Sequence, residues 1–429
     1  MHTRTTIVTL LAGVSALALP AGASAQTTQV GTATATTAAE TTPQTSPADA
    51  DAAAPLSSDV AAEIVVTAQR RAESVQRVPV AITAVRGDAL QRLNITSPQQ
   101  LTLIDPSVRY KQSTSAGNSG FLIRGIGTSS FSAGIEQSIS TVVDGVVLGD
   151  PSTISTLVDI ERVEILRGPQ GMLFGKNASA GLVSFTTVRP KIGVAELVGH
   201  GELGTQGHGV ANLIGNVPIS ETSALRVFGF YKQRDGVVRN LNPALPRDVD
   251  GQLNYGGGAK FLWKPTDALS VFLSADYSEV GRFCCSMVWA KNAPGYAPAV
   301  TLAQYGITAS PTNRYVAIGG RSYGYAKRGG GSAEINYDMG DYALTSLTAY
   351  RQSYRESFYD GDNTTVNYVD RNGGSNALRQ ISQELRLTSP TGGLIDYVAG
   401  LFFFDQHAKG FIDQQGRLEW IVPGTELRL

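Results

Sequence analysis

The spacing of apolar and polar positions changes character along this chain, and each change marks a boundary. An unbroken apolar run, IVTLLAGVSALALP, follows His2 and Arg4 and ends at Ala23-Ser24-Ala25. From Gln26 to Asp59 the residues are mostly Ala, Thr, Ser, Pro and Asp, with too little apolar surface to offset the entropy of ordering, which predicts a disordered tether over 26–59. The segment 60–74 then carries a short β-prone run, Glu63, Ile64, Val65, Val66, Thr67 and Ala68, flanked by Gln69-Arg70-Arg71. Such a run either adds itself to the sheet edge of another protein or forms the first strand of the next domain.

Residues 75–190 mix two periods and predict a compact α+β domain. VPVAITAV reads as a strand, GDALQRLNITSPQQLTLI as helix, and short apolar runs between Gly-rich turns follow. In TVVDGVVL, Asp144 and Gly145 stand between two apolar runs, the signal for a tight β-hairpin whose turn needs positive φ. The stretch 160–187, IERVEILRGPQGMLFGKNASAGLVSFTT, alternates apolar with charged residues, breaks at Gly168-Pro169, and resumes after Gly181. It predicts a strand, a structured loop holding Gly171, Gly175 and Asn177, and a second strand.

From 191 to 429 the pattern becomes period-two runs of roughly 9 to 11 residues, the dyad repeat of membrane barrel strands. In ALRVFGFYKQR, Leu225, Val227, Gly229 and Tyr231 alternate with Arg226, Phe228, Phe230 and Lys232. KPTDA is a short link between two such runs, whereas 280–331 reads as a long irregular connection.

Composition agrees with an all-β second half. There are 47 glycines in 429 residues and 17% charged residues, with a net charge of −1 that gives no basic surface for nucleic acid. The first 25 residues have the layout of a cleaved secretory signal, and the apolar run is too short to span a bilayer as a helix. An exported chain without a spanning helix crosses a membrane only as a closed barrel. Cys284 and Cys285 are adjacent, a spacing that suits neither a metal site nor a disulfide framework. GMLFGKN lacks the length and the Ser/Thr of a phosphate loop, and His200 and His208, eight apart on adjoining strands, suit a surface better than a ligand pair. No nucleophile elbow, zinc helix or calcium loop occurs, so neither an enzyme nor a cofactor is expected.

The motifs IRGIGT at 123–128, VVDGVVLG at 142–149 and the whole of 160–187 closely resemble the plug of TonB-dependent outer-membrane receptors. EIVVTA at 63–68 is similar to the TonB box of that family, and SQELRLTSP with YVAGLFFF is similar to early-barrel sequence. The resemblance implies an α+β plug domain followed by an antiparallel transmembrane β-barrel, incomplete in this chain because 191–429 suffices for roughly 8 to 10 strands where about 22 are usual. It also decides for a partner-binding strand at 63–68.

The implied function is energy-coupled uptake of a scarce ligand such as an iron-siderophore complex, cobalamin, an oligosaccharide or an aromatic compound, across the outer membrane of a Gram-negative bacterium. A passive porin-like channel or a non-transporting truncated remnant is the alternative, since an open-edged sheet is unstable in lipid. TonB with its inner-membrane energising complex, outer-membrane lipid and the imported small molecule are the implied partners. Arg124, Gly125, Asp144, Gly145, Glu161, Arg162, Glu164, Arg167, Gly168, Pro169, Gly171, Gly175 and Asn177 carry the plug motif. In such a plug Arg124, Glu161, Arg162, Glu164 and Arg167 would face the polar barrel wall and could pair with it, the alternative being solvated strand faces. One departure is Ala180-Gly181-Leu182-Val183-Ser184-Phe185, where the family commonly has Gly-Gly-x-Ile-Asn-Ile.

Overall fold

The computed structural model describes residues 3–14, 65–67, 70–71, 73–111, 119–128, 135–150, 154, 157–282, 286–292, 297–392, 395–417 and 426–428. The tether at 26–59, the Ala23-Ser24-Ala25 site, Glu63, Ile64, Ala68, Cys284 and Cys285 lie outside them.

The α+β domain is built on one sheet. In chain order its strands and helical turns are β1 (Ile82–Arg86), α1 (Gly87–Arg92), β2 (Val108–Lys111), β3 (Gly120–Ile123), β4 (Ile139–Val143), β5 (Val146–Leu148), β6 (Ile160–Arg167), α2 (Gly171–Phe174) and β7 (Gly181–Thr187). The sheet order is β1-β6-β7-β4-β5, with β7 and β4 parallel and the other pairs antiparallel, while β2 and β3 pair apart from it. Both faces are covered. Val163, Ile165, Val183 and Phe185 pack with Leu90, Leu101, Val108 and Phe121 on one side. Leu166 and Leu182 pack with Val66, Val78, Val142, Val147 and Phe174 on the other. Covering both faces is why every residue from Gly181 to Phe185 is buried.

The expected long helical stretch is two pieces: α1 ends at Arg92, and a 3-10 turn, Pro98–Leu103, starts at a capping box of Ser97 and Gln100. Asn94, at φ +51°, ends the first helix, with the Ile95 N–H bonded to the Leu90 carbonyl, and Pro98 begins the second piece.

The second half is a ladder of long antiparallel strands: β8 (Glu196–Leu203), β9 (Gly209–Ser220), β10 (Ser223–Arg234), β11 (Gln252–Thr266), β12 (Leu269–Arg282), β13 (Tyr323–Met339), β14 (Tyr342–Tyr359), β15 (Arg371–Thr388) and β16 (Tyr397–Arg417). Most exceed the expected 9 to 11 residues, because they continue past an apolar band into the connections at one rim. One rim has turns as short as Glu221–Thr222 and Gly340–Asp341, and the opposite rim carries the long connections. The break expected over 280–331 is shorter, since β13 is already a regular strand at Tyr323. Its Gly329-Gly330-Gly331 run, read as irregular, is needed for packing: a Cβ at Gly330 would lie 2.2 Å from the Tyr350 carbonyl oxygen.

Alternation sorts the ladder into two faces. Leu213, Val217, Val227, Tyr231, Trp263, Leu273, Ile335 and Leu385 point outward and are exposed, while Arg226, Lys260, Phe272, Arg328, Gln380 and Phe404 point inward and are buried. One edge of β16 is met by Thr3–Val14, running antiparallel along Tyr397–Ala408. An edge strand with unpaired N–H and C=O groups accepts a β-prone run in this way.

The long-connection rim has a small core of its own. Val238–Asn240, Asp248–Val249 and Tyr315–Val316 pair, α3 (Ala297–Gln304) packs Leu302 nearby, and Asp360 binds the N–H groups of Gly319, Gly320 and Asn363. Burial, reinforced by neighbouring Asp362, pushes the Asp360 carboxyl up to about 7 against those hydrogen bonds.

Candidate functional site

Among the described residues, three of the places where the α+β domain meets the inward face of the ladder stand out, and the segment carrying the β-prone run belongs to one of them. Val65–Val66 pairs with Glu73–Ser74, and the Val66 side chain is fully buried among Leu166, Leu182 and Phe174. Glu164 lies on the same face of β6 as Leu166. Its carboxylate accepts the Thr67 N–H at 3.0 Å and the Arg162 guanidinium at 2.7 Å, and Arg162 also reaches the Thr67 hydroxyl. A carboxylate with 1% exposure is tolerable only when paired in this way.

Three residues further on, Arg70 leaves the domain and enters the wall. With φ at +61° its side chain runs across the Phe174 ring, 4.4 Å from the centroid, and donates to the carbonyls of Leu173 and Gly145. It ends on Glu384 of β15 at 3.0 Å, and Arg386 holds the other carboxylate oxygen of Glu384 at 2.6 Å. Arg71 continues the attachment by donating to the Ser389 hydroxyl and the Tyr397 carbonyl.

The second contact is the β4–β5 hairpin. Asp144 and Gly145 have φ of +46° and +84°, as the turn requires. The Asp144 carboxylate also takes both the N–H and the hydroxyl of Thr187 at 2.8 Å, so this residue fastens the turn to β7 as well as shaping it. Val146 and Leu148 pack on Leu347 and Ala349 of β14, and Gln380 of β15 bonds both the Gly149 N–H and the Val147 carbonyl.

The third contact is a buried charge cluster just before β6. Asp159, at φ +56°, receives the Arg226 guanidinium through two nitrogens at 2.7 to 3.0 Å and the Lys260 ammonium at 2.7 Å. Arg226 and Lys260 are directly paired across β10 and β11, and Arg226 turns its remaining nitrogen to Glu196. All three side chains are nearly inaccessible.

The charged plug-motif residues behave differently from expectation. Arg162 pairs with Glu161 and Glu164, and Arg167 pairs with Asp105 at 2.7 Å, all inside the α+β domain. Burial opposes ionisation of Asp105, yet bonds from Ser107, Thr83 and Arg167 hold its carboxyl below the ordinary range. Arg124 and Gly125 form an exposed turn, both at positive φ, rather than a wall contact. Gly168, Pro169, Gly171, Gly175 and Asn177 shape the loop around α2, whose Phe174 is the platform under Arg70. The reason is alternation: Val163 and Ile165 fill one core, and the interleaved Arg162 and Glu164 face the N-terminal segment. The wall contacts come instead from Arg70, Asp159, Arg226, Lys260 and Glu384. Their only sequence signal is a charge at an inward position of a barrel strand, visible for Arg226 in ALRVFGFYKQR.

A small α+β domain fastened to the inner face of long antiparallel strands, with a β-prone segment tucked against it, is the arrangement of a plug domain against a barrel wall. Residues 74–182 match the TonB-dependent Receptor Plug Domain model. Those residues are thus similar to the plug domain of TonB-dependent receptors. The chain is 32% identical over 128 residues to the pesticin receptor of Yersinia pestis, a match covering 30% of this chain and 19% of that one. The ferric yersiniabactin uptake receptor from Yersinia pestis superposes with a TM-score of 0.66 at 20% identity, over 79% of this chain and 50% of that structure. The ferripyoverdine receptor of the outer membrane of Pseudomonas aeruginosa gives 0.61 at 14%, over 81% and 45%. The chain thus spans about half the length of the solved receptors it matches.

Proposed function

We propose that this chain supplies the plug and nine wall strands of an outer-membrane receptor that imports an iron complex, with 63–68 as the strand that TonB captures. The observation that carries this reading is the route from the β-prone run to the wall. Val66 and Thr67 are stored on the plug, and Arg70, three residues later, is clamped to Glu384. A partner that adds the run to its own sheet and pulls must first release Thr67 from Glu164 and then draw Arg70 out of the wall. The short-turn rim, where Arg71 meets Ser389, then faces the periplasm, and the long connections face outward. Among the ligand classes open to the family, iron chelates are favoured because the similar receptors named above include those for ferric yersiniabactin and ferripyoverdine. Residues 1–25 serve as the export signal in this reading.

The test is uptake of a panel of ferric chelates by iron-starved cells of the native host, with and without deletion of 63–68 from the chromosomal gene. Uptake is expected to disappear on deletion and on treatment with a protonophore. Uptake that survives both marks a passive channel and overturns the proposal.

A further inference from the structure

Between the hairpin contact and the Asp159 cluster, plug and wall do not close on each other. A cavity of about 130 Å³ remains there, with Val143, Val146, Leu148, Ile160 and Phe185 on the plug side and Phe228, Ser274, Asp276, Ser332 and Arg351 on the wall side. The ladder register explains the hollow. Phe228, Gly258, Asp276, Gly330 and Arg351 are directly paired in one inward row, and Arg226, Lys260, Ser274, Ser332 and Ala349 in the next. The first row has glycine on either side of Asp276. A Cβ at Gly258 would lie 2.7 Å from the Phe228 ring, and one at Gly330 2.8 Å from Arg351 Cδ. Ring and guanidinium stem therefore lean into the spaces the glycines leave and flank Asp276.

The lining is apolar toward the plug, polar toward the wall and electrically balanced. Lys260 is held by Asp159 and the Val188 carbonyl, and Arg351 holds both oxygens of the Asp276 carboxylate through its terminal nitrogens. Asp144, which also lines the space, is fastened to Thr187, and the Ser274 and Ser332 hydroxyls bond each other at 2.9 Å. One donor is left over. The Arg351 Nε–H is buried, and among the described residues nothing accepts it, which favours an occupant that brings an oxygen. An ion is disfavoured, because it would enter a largely apolar space whose charges are already matched. The size is also selective. A cavity of roughly 150 Å³ lined by aliphatic and aromatic residues holds a benzene ring, so this one suits a single ring.

We infer that this cavity binds a small neutral phenol, its ring against Val143, Val146, Leu148 and Phe185 of the plug and its hydroxyl oxygen accepting the Arg351 Nε–H. The same hydroxyl donates to the Asp276 carboxylate, so one group serves a neighbouring donor and acceptor at once. A bare aromatic ring leaves Nε unmatched, and a benzoate sets a second negative charge beside Asp276. The occupant touches the hairpin on one side and β14 on the other. Occupancy therefore ties the hairpin more firmly to the wall, because a molecule that binds the closed arrangement stabilises it by mass action. The site goes beyond the import reading above and does not depend on which ligand is imported.

The full chain, purified in mild detergent, is titrated with para-fluorophenol and followed by fluorine NMR, with empty micelles as the blank. Saturable binding is expected. Fluorobenzene, which lacks the oxygen, and para-fluorobenzoate, which adds a charge, are expected to bind roughly fivefold more weakly or worse. Arg351→Lys keeps a cation for Asp276 but removes the Nε–H, and is expected to weaken para-fluorophenol roughly tenfold. Ser332→Leu fills the cavity and is expected to abolish binding. In the wild-type chain, saturating para-fluorophenol should slow amide exchange at 143–148 about threefold or more. Absence of saturable binding, or equal binding of the three compounds, overturns the inference. So does binding unchanged in either folded variant, or exchange at 143–148 that does not respond. The wild-type comparisons decide the outcome even where a variant fails to fold.

Discussion

Two of the charged fastenings that tie the plug to the wall differ in build. At Asp159, immediately before β6, one carboxylate is surrounded by two barrel cations, all three side chains buried, beside Val188 where the chain passes toward the wall. At Arg70 one plug cation reaches a single barrel carboxylate, already shared with Arg386, and leans on an aromatic ring and two carbonyls. Removing the Asp159 carboxylate leaves two buried cations short of a counter-charge. Withdrawing Arg70 leaves Glu384 still paired with Arg386. The first fastening therefore resists separation, whereas the second separates without stranding a charge on the wall, and it is the second that adjoins the proposed TonB-binding run. The difference suggests how a plug can be held firmly on one side while its N-terminal side yields to a pull.

The sharpest way to break this comparison is Asp159→Ala. Leaving Arg226 with Glu196 and Lys260 with only the more distant Asp144 is expected to destabilise the chain by about 3 to 5 kcal/mol, read from the unfolding midpoint in denaturant. A loss no larger than that of an exposed surface substitution would mean the cluster is not an anchor. Arg70→Ala comes next, at about 2 to 3 kcal/mol from lost hydrogen bonds and packing on Phe174. Its signature should be local: amide exchange at 65–71 accelerates while β7 stays protected. Global loosening after Arg70→Ala would erase the distinction between the two fastenings.

Gly145→Ala tests the hairpin next to Arg70. An alanine at φ +84°, with its Cβ 3.1 Å from the Leu347 side chain, is expected to cost about 1 to 2 kcal/mol in midpoint stability. It should also raise exchange at Val146 and Val147.

The smallest effect is confined to the rim far from both fastenings. Asp360 titrates at about 7 in the folded chain and near the ordinary carboxylate value when unfolded. The folded state holds the extra proton between those values, so protection of 360–370 is expected to fall as pH rises from about 4 to 7 and to level off above. Asp360→Asn should abolish that slope. A slope unchanged in the variant would assign the titration to another group.

Much of the architecture was legible before any coordinates. The period-two runs announced the wall, Asp144-Gly145 announced its hairpin, and 160–187 announced a strand, a structured loop and a strand. These are local properties: alternation fixes which side of a strand is apolar, and positive φ demands a particular residue pair. Helix continuity across 87–104 fails because Asn94 takes a left-handed conformation and ends α1 in a stretch whose apolar spacing looks continuous. The irregular reading of 323–331 failed because glycines signal turns in isolation but close strand approach within a sheet.

The functional residues divide along the same line. Glu63 to Ala68 stood out as a β-prone run between flexible and basic sequence, whereas the partners of the plug charges did not. Arg162, Glu164 and Arg167 are charged at positions that alternation alone assigns to a face, but not to a neighbour. Whether that neighbour is the wall or the plug itself depends on which segments the fold lays against β6, and the fold lays 65–67 and Asp105 there. The sequence by itself determined the strands, their two faces and the turn chemistry, because those follow from bonds within a few residues. Only the tertiary structure decided that Arg70 meets Glu384 and that Asp159 meets Arg226 and Lys260, because a buried ion pair is chosen by which groups lose water together, across separations that no local pattern records.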